Sequence, residues 1–223
     1  MAASDTTRML VLGVAQIFGP ANGYQLRREL LSWNVQHWAN INPGSIYSML
    51  ATLAKQGMVE RHDLVMSPGA NPVAVYRITP AGDAEVARLV GEGIRCVREF
   101  DRTEFYAAAS LAPTTFDRAT FGDLLAERIE NLRISASTLV GTIAAAKADA
   151  GAPPHVVRLM DYAATIGNAE ATWIEGLLAD VRAGDLAFRG EAAMEAWTPP
   201  ADDSGWPMMR ERAAYLAAIA NGG

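Results

Sequence analysis

Apolar positions recur along this chain at helical spacing, and short proline- or glycine-rich breaks separate the runs. Leu10, Val14 and Ile17 share one face of a predicted helix over residues 9–18, which Gly19-Pro20 stops. A second amphipathic helix begins at Gly23-Tyr24 and runs through Leu26, Leu30 and Leu31. The third is the most sharply punctuated. Asn42 stands where an N-cap acceptor belongs, Pro43 occupies the first helical position, and Gly57 follows as the stop. Ile46, Leu50 and Leu53 form its buried stripe. Ser45, Ser48, Thr52 and Lys55 lie off that stripe, with Tyr47 beside them. Residues 58–66 and 73–78 then read as two strands, joined by the turn Ser67-Pro68-Gly69-Ala70-Asn71-Pro72. Three helices followed by a two-stranded ribbon predict a winged helix-turn-helix over residues 6–82, with residues 1–5 frayed. A capped helix with small hydroxyl side chains outside can enter a DNA major groove.

Beyond it the pattern is helical throughout, so the fold class is mainly α. Thr79-Pro80 restarts a helix, with Asp83 in its first turn. Val86, Val90, Gly93, Val97 and Phe100 follow at spacings of four and three, a narrow seam suited to helix packing. Residues 101–111 continue this helix or start another, and Pro113-Thr114-Thr115 reads as a break. Residues 116–148 form the next helix, striped by Phe121, Leu125, Leu132, Ala136, Leu139 and Ile143. After Gly151-Ala152-Pro153-Pro154, a long helix carries Val156, Met160, Ala163, Gly167, Glu170, Ile174, Leu177 and Val181 on one stripe. These helices make residues 83–190 a helical domain. The stripe of the 116–148 helix suits an intramolecular core, and those of the first and last helices suit a core shared between two protomers. Residues 191–223 form a tail with Trp197 and Trp206 and a short helix over 208–220. Disordered tails usually lack aromatics, so this one is expected to dock.

The first 80 or so residues resemble the PadR-like transcriptional regulators. The resemblance rests on Gly23-Tyr24, Pro43-Gly44-Ser45-Ile46-Tyr47, Gly57-Met58-Val59-Glu60 and Val75-Tyr76-Arg77-Ile78-Thr79-Pro80-Ala81-Gly82, in that order and at that spacing. A looser likeness at Glu170-Ala171-Thr172-Trp173-Ile174-Glu175-Gly176-Leu177-Leu178 is similar to the last helix of the longer members. It implies a C-terminal helical domain that mediates homodimerisation, double-stranded DNA as partner, and repression relieved by an effector. It also implies a phosphate contact from the Tyr47 phenol, whose alternative is packing against the wing.

Charge sharpens this picture. The chain of 223 residues has a net charge of −6, which taken whole argues against nucleic acid. Residues 1–82, however, hold six basic and four acidic side chains, and the rest holds thirteen against twenty-one. The basic excess coincides with the winged helix but is thin for phosphate neutralisation. Arg27 and Arg28 read as backbone clamps or as a solvated face, and Tyr24 is expected to pack under the second helix. The turn from Ser67 to Pro72 has no cation, where related proteins often carry one, so Ser67 and Asn71 are left as its phosphate donors. The predicted DNA contacts are therefore Arg27, Arg28, Asn42, Gly44, Ser45, Tyr47, Ser48, Thr52, Lys55, Ser67 and Asn71.

Other chemistry is sparse. His37, His62 and His155 have no metal-type spacing, and no nucleophile elbow, phosphate loop or dinucleotide fingerprint is present. We therefore expect neither an enzyme nor a cofactor or metal. Cys96, the sole cysteine, reads as a core or near-core residue. Glu170 falls on an apolar stripe, and a buried ion pair with an arginine across a helix interface would satisfy it. No run approaches the roughly 18–20 apolar residues of a membrane span, and no signal pattern opens the chain, so a cytoplasmic location without membrane contact is expected. Trp33, Trp38, Phe100, Phe105, Tyr106 and Trp173 could wall a pocket for a small planar aromatic effector, or each could fill a core. The competing class is a winged-helix module that binds protein through its third helix.

Overall fold

The computed structural model describes residues 3–148 and 152–221 and divides the chain into two compact units. The first comprises the residues up to 90 together with those from 192 onward, and the second comprises residues 91–191. Helices α1 (Ala3–Phe18), α2 (Gly23–Ser32), α3 (Val35–Trp38) and α4 (Pro43–Lys55) are interleaved with the short strand β1 (Ala21–Asn22) and followed by β2 (Val59–Leu64) and β3 (Val73–Ile78). Helix α5 (Pro80–Arg95) leads into the second unit, built from α6 (Thr103–Thr115), α7 (Arg118–Ala148) and α8 (Pro154–Ala183). The chain then returns to the first unit through α9 (Ala192–Glu195) and α10 (Trp206–Ala220).

The core of the first unit comes from the apolar stripes of its helices. Met9, Leu10 and Leu12 of α1, Leu26 and Leu30 of α2, and Ile46, Leu50 and Leu53 of α4 are fully buried. Residues 3–5 belong to α1 and are not frayed, because Asp5 sits favourably in the first turn and Thr6 and Thr7 are buried behind it. The sheet has three antiparallel strands in the order β1-β3-β2, one more than the expected ribbon. Ala21 lies opposite Tyr76 and Asn22 opposite Val75, so the two residues before α2 tie this helix to the wing. Between β2 and β3 the register runs from Val59 opposite Ile78 to Leu64 opposite Val73.

Asn22 also begins α2 with a reciprocal cap. Its side chain accepts from Gln25 N at 2.9 Å, and its own backbone N–H donates to Gln25 Oε1 at 2.9 Å. The expected docking of the tail takes place here. Tyr215 of α10 joins Leu64 and Val75 in one buried cluster, with Val73, Ala218 and Ile219 packed against it. Ser204 and Ser32 share a 2.8 Å hydrogen bond, and Ser204 also donates to Glu29. Gly205 lies so close to α1 that a Cβ there would stand 2.6 Å from Phe18 Cε1.

In the second unit α7 and α8 pack along each other. Phe121, Leu125, Leu132, Ala136 and Ile143 of α7 are buried, as are Ala163, Gly167, Ile174 and Val181 of α8. Glu170 meets its arginines as its place on the stripe predicts. Arg128, 1% exposed, donates to Glu170 through Nε at 3.0 Å and through Nη2, and Arg102 Nε donates to the other carboxylate oxygen at 3.0 Å. Arg128 Nη1 also donates to the carbonyls of Ile94 and Cys96, and its guanidinium lies 4.0 Å from the Phe105 ring centroid.

Three local expectations fail. The seam through Val97 and Phe100 ends early: α5 stops at Arg95, and Phe100 is exposed. The carbonyls at this end turn to the Arg128 guanidinium instead of continuing a helix. Cys96, expected in or near the core, is exposed because it follows that stop. Pro113, expected to break the chain, lies inside α6, which continues to Thr115. The missing N–H falls in the last turn of the helix, and the hydroxyls of Thr114 and Thr115 separately donate to Leu111 O, each at 2.9 Å.

Candidate nucleic-acid interface

Helix α4 forms as its sequence dictates. Asn42 Oδ1 accepts from Gly44 N at 3.1 Å, Pro43 opens the first turn, and the carbonyl of Asn42 accepts from Ser45 N at 2.9 Å. Gly57 ends the turn that follows with a φ of +70°, which glycine adopts without strain. Burying Ile46, Leu50 and Leu53 turns the opposite face outward. Ser48, Thr52 and Lys55 are exposed there, Ser45 is half-buried, and Gly44 is exposed at the helix start.

The hydroxyls of this face are already committed as donors. Ser45 Oγ donates to Asn42 O at 2.6 Å, Ser48 Oγ to Gly44 O at 3.3 Å, and Thr52 Oγ1 to Ser48 O at 2.9 Å. Their remaining lone pairs point away from the helix as acceptors. An acceptor row suits the amino groups of adenine and cytosine, which face the major groove as donors. Asn42 has spent its side-chain oxygen on the cap and keeps its amide as a donor.

Tyr47 is 44% exposed, and its ring edges onto the start of α2, where a Cβ on Gly23 would stand 3.1 Å from Cε1. Tyr24 is 61% exposed and does not pack under α2 as expected, since Leu26 and Leu30 take the inward face. Tyr24 and Tyr47 border a shallow depression whose floor includes Asn22, Gly23, Ala74 and Tyr76. It lies where the first turn of α2 meets the wing. Arg27, half-buried, and Arg28, exposed, follow on α2.

Half of the six cations of the winged helix are neutralised. Arg61 pairs with Asp63 at 2.8 Å, Arg77 with Glu60 at 2.6 Å, and Arg8 with Glu85 at 2.8 Å. The Arg77 hydrogen bond holds the Glu60 carboxyl below its usual range. Arg27, Arg28 and Lys55 form no ion pair among the described residues. Arg77–Glu60 crosses between strands and Arg8–Glu85 joins separate helices, so only Arg61 and Asp63, two apart on one strand, offered a sequence signal. Ser67 and Asn71 are exposed at the wing tip, where Ala70 N donates to Ser67 O at 3.0 Å.

The six aromatic candidates for an effector wall differ in environment. Trp33 and Trp38 are half-buried, and their indole N–H groups donate to Glu29 Oε1 and Trp33 O, each at 2.8 Å. Phe105 is buried beneath Arg128. Phe100, Tyr106 and Trp173 are exposed. Among the described residues, no three His, Cys, Asp or Glu side chains gather to hold a metal, and no helix is long and apolar enough to cross a membrane.

Residues 11–88 match the Transcriptional regulator PadR-like family. Two solved structures are similar at 20% identity. Bacillus subtilis PadR in complex with operator DNA covers 78% of this chain and 98% of its own, with a TM-score of 0.35. The protein smu.1604c from Streptococcus mutans UA159 covers 77% and 98%, with a TM-score of 0.33. No curated protein matches.

Proposed function

We propose, taking residues 11–88 as a PadR-like domain, that this chain is a dimeric transcriptional regulator that binds double-stranded DNA with α4 in the major groove. The observation that carries this reading is the outer face of α4. It combines an accepting row at Ser45, Ser48 and Thr52 with Lys55 at its far end and exposed tyrosines at its near end. Arg27, Arg28 and Lys55 supply three unpaired cations per protomer, and Tyr47, Asn42, Ser67 and Asn71 add neutral phosphate donors. Two protomers on a pseudo-palindromic site double that number, which compensates for the thin charge of one.

Helix α8 supports the pairing. Its inward stripe is covered by α7, yet Leu159, Tyr162 and Trp173 remain exposed on another face. Exposed apolar rows of this kind mark interaction surfaces. A second copy of the chain is the occupant we assign, and the repressor role with release by a planar aromatic effector completes the reading. An effector in contact with tryptophan would quench its emission and loosen the DNA complex together.

DNA selected from a genomic pool by the purified protein tests the reading. We expect an inverted repeat, with a slope of log affinity against log salt of about −5 for the dimer. Lys55→Ala should lower that slope by about one per protomer on all sequences, while Ser48 and Thr52 changes should alter base preference. Full affinity in a Ser45, Ser48, Thr52 triple alanine variant would remove α4 from the interface. The pairing of Arg61, Arg77 and Arg8 with carboxylates favours a second reading, in which α4 binds protein. Salt-independent capture of a protein partner with no DNA selected would establish that one instead.

A further inference from the structure

The tail reaches the winged helix at one chemically specific place. The reciprocal cap of α2 uses Asn22 Oδ1 and Gln25 Oε1 as acceptors, which leaves both side-chain amide nitrogens to donate elsewhere. Both donate to α10. Asn22 Nδ2 donates to Tyr215 Oη at 3.2 Å, and Gln25 Nε2 donates to Glu211 Oε2 at 2.8 Å. Tyr215 Oη in turn donates to Glu211 Oε2 at 3.0 Å, which closes a ring of four side chains. The Tyr215 ring meanwhile packs on Leu64 of β2 and Val75 of β3. One face of α10 thus grips the start of α2 and both long strands of the wing.

We propose that residues 204–219 are a clamp in cis that fixes the first turn of α2 and the wing in a single arrangement, with Glu211 and Tyr215 as positioning residues for DNA binding. The depression bordered by Tyr24 and Tyr47 includes Asn22 and Val73, and these are residues the clamp holds from the other side. Loosening the clamp lowers the population in which Tyr24, Tyr47 and the wing are aligned, and apparent affinity falls by that fraction. Neither residue reaches DNA in this scheme, so the salt slope stays as it was. The affinity part rests on the DNA-binding reading given above; the mechanical part does not.

The test uses the full chain with Tyr215→Phe, Glu211→Ala, Glu211→Gln and the pair Glu211→Ala/Tyr215→Ala. Amide hydrogen exchange is followed at Gly23 to Gln25 and at Val73 to Val75, beside affinity for selected DNA. Tyr215→Phe keeps the ring and loses the hydroxyl, so exchange at both segments should quicken about fivefold, the worth of a typical hydrogen bond. Glu211→Ala should do the same, and Glu211→Gln, which keeps an acceptor for Gln25, should restore most of the protection. The double variant should exchange more than tenfold faster and bind DNA several-fold more weakly at an unchanged salt slope. Unchanged exchange in the double variant would overturn the clamp, and so would faster exchange with full affinity. A changed salt slope would make Glu211 and Tyr215 part of the contact surface and overturn their positioning role. If the parent chain selects no DNA, the DNA-binding reading fails by itself, and exchange at the two segments alone decides for or against the clamp.

Discussion

Glu29 in the first unit is buried and Glu170 in the second is partly buried, and the two carboxylates are satisfied in different ways. Glu29 in the first unit takes neutral donors, Trp33 Nε1 at 2.8 Å and the hydroxyl of Ser204. Glu170 in the second takes the guanidinium groups of Arg128 and Arg102. Burial pushes the Glu29 carboxyl above its ordinary value of 4.5, because indole and hydroxyl dipoles offset only part of the lost hydration. At Glu170 the attraction is between full charges, and breaking it strands the partner. The first carboxylate is thus held by dipoles and the second by guanidinium groups. The outer surfaces differ as well. Helix α10 covers the apolar face of Leu64, Val73 and Val75, while Leu159, Tyr162 and Trp173 of α8 stay exposed among the described residues.

The largest expected effect tests the charge lock. Arg128→Met leaves two backbone carbonyls without their donor and Glu170 with Arg102 alone, and it should cost about 3–5 kcal/mol in urea unfolding. Adding Glu170→Met should recover only part of that loss, since the carbonyls of Ile94 and Cys96 still lack a donor and Arg102 loses its carboxylate. A single variant that unfolds at the parent's urea midpoint would mean that packing, and not the ion pair, holds this unit together.

Next in size is the contrast between covered and uncovered faces. If the chain pairs as proposed, light scattering should find the parent dimeric at micromolar concentration and the Tyr162→Glu, Trp173→Glu variant monomeric, with helical content unchanged. The pair lies on the outer face of α8, so its core stripe is untouched. Persistence of the dimer would assign the contact to another surface.

The smallest effect is the proton at Glu29. Its folded pKa is raised, so the stability that its neutral form contributes is fully present below about pH 4.5 and is lost as pH rises through the folded value. Glu29→Gln keeps an acceptor for Trp33 and removes the titration. Between pH 4 and pH 7 the variant should gain stability relative to the parent. Parallel curves for the two proteins would mean that Glu29 does not change its protonation across this range.

What was legible in the sequence was local. Asn42-Pro43 and Gly57 bounded α4, Gly23 started α2, and residues 73–78 are β3 to the residue, because caps, prolines and period-two runs act within a few positions. Glu170 was legible from periodicity alone, since a carboxylate on an apolar stripe needs a partner. Longer-range features were not. β1 is two residues long and exists only because Tyr76 and Val75 lie opposite. Pro113 looked like a break because a proline usually ends a helix, yet α6 runs two residues past it to Thr115. The pairings that neutralise Arg8 and Arg77 join residues 77 and 17 positions apart. At the candidate interface, the outer residues of α4 were readable from their stripe, and the exposure of Tyr24 was not.

Asn22 and Tyr215 touch across 193 positions of sequence, and this separation bears on how the molecule is made. The winged helix precedes α10 in the chain, so its sheet face stays uncovered and the Asn22 and Gln25 amides lack their acceptors until α10 has been synthesised. All of the second unit must be threaded between the two parts of the first. Closing a loop of that length costs only slowly growing entropy, but contacts so far apart in sequence form late. A nascent chain therefore carries the helices and strands of residues 3–78 without their α10 cover until Tyr215 has been made.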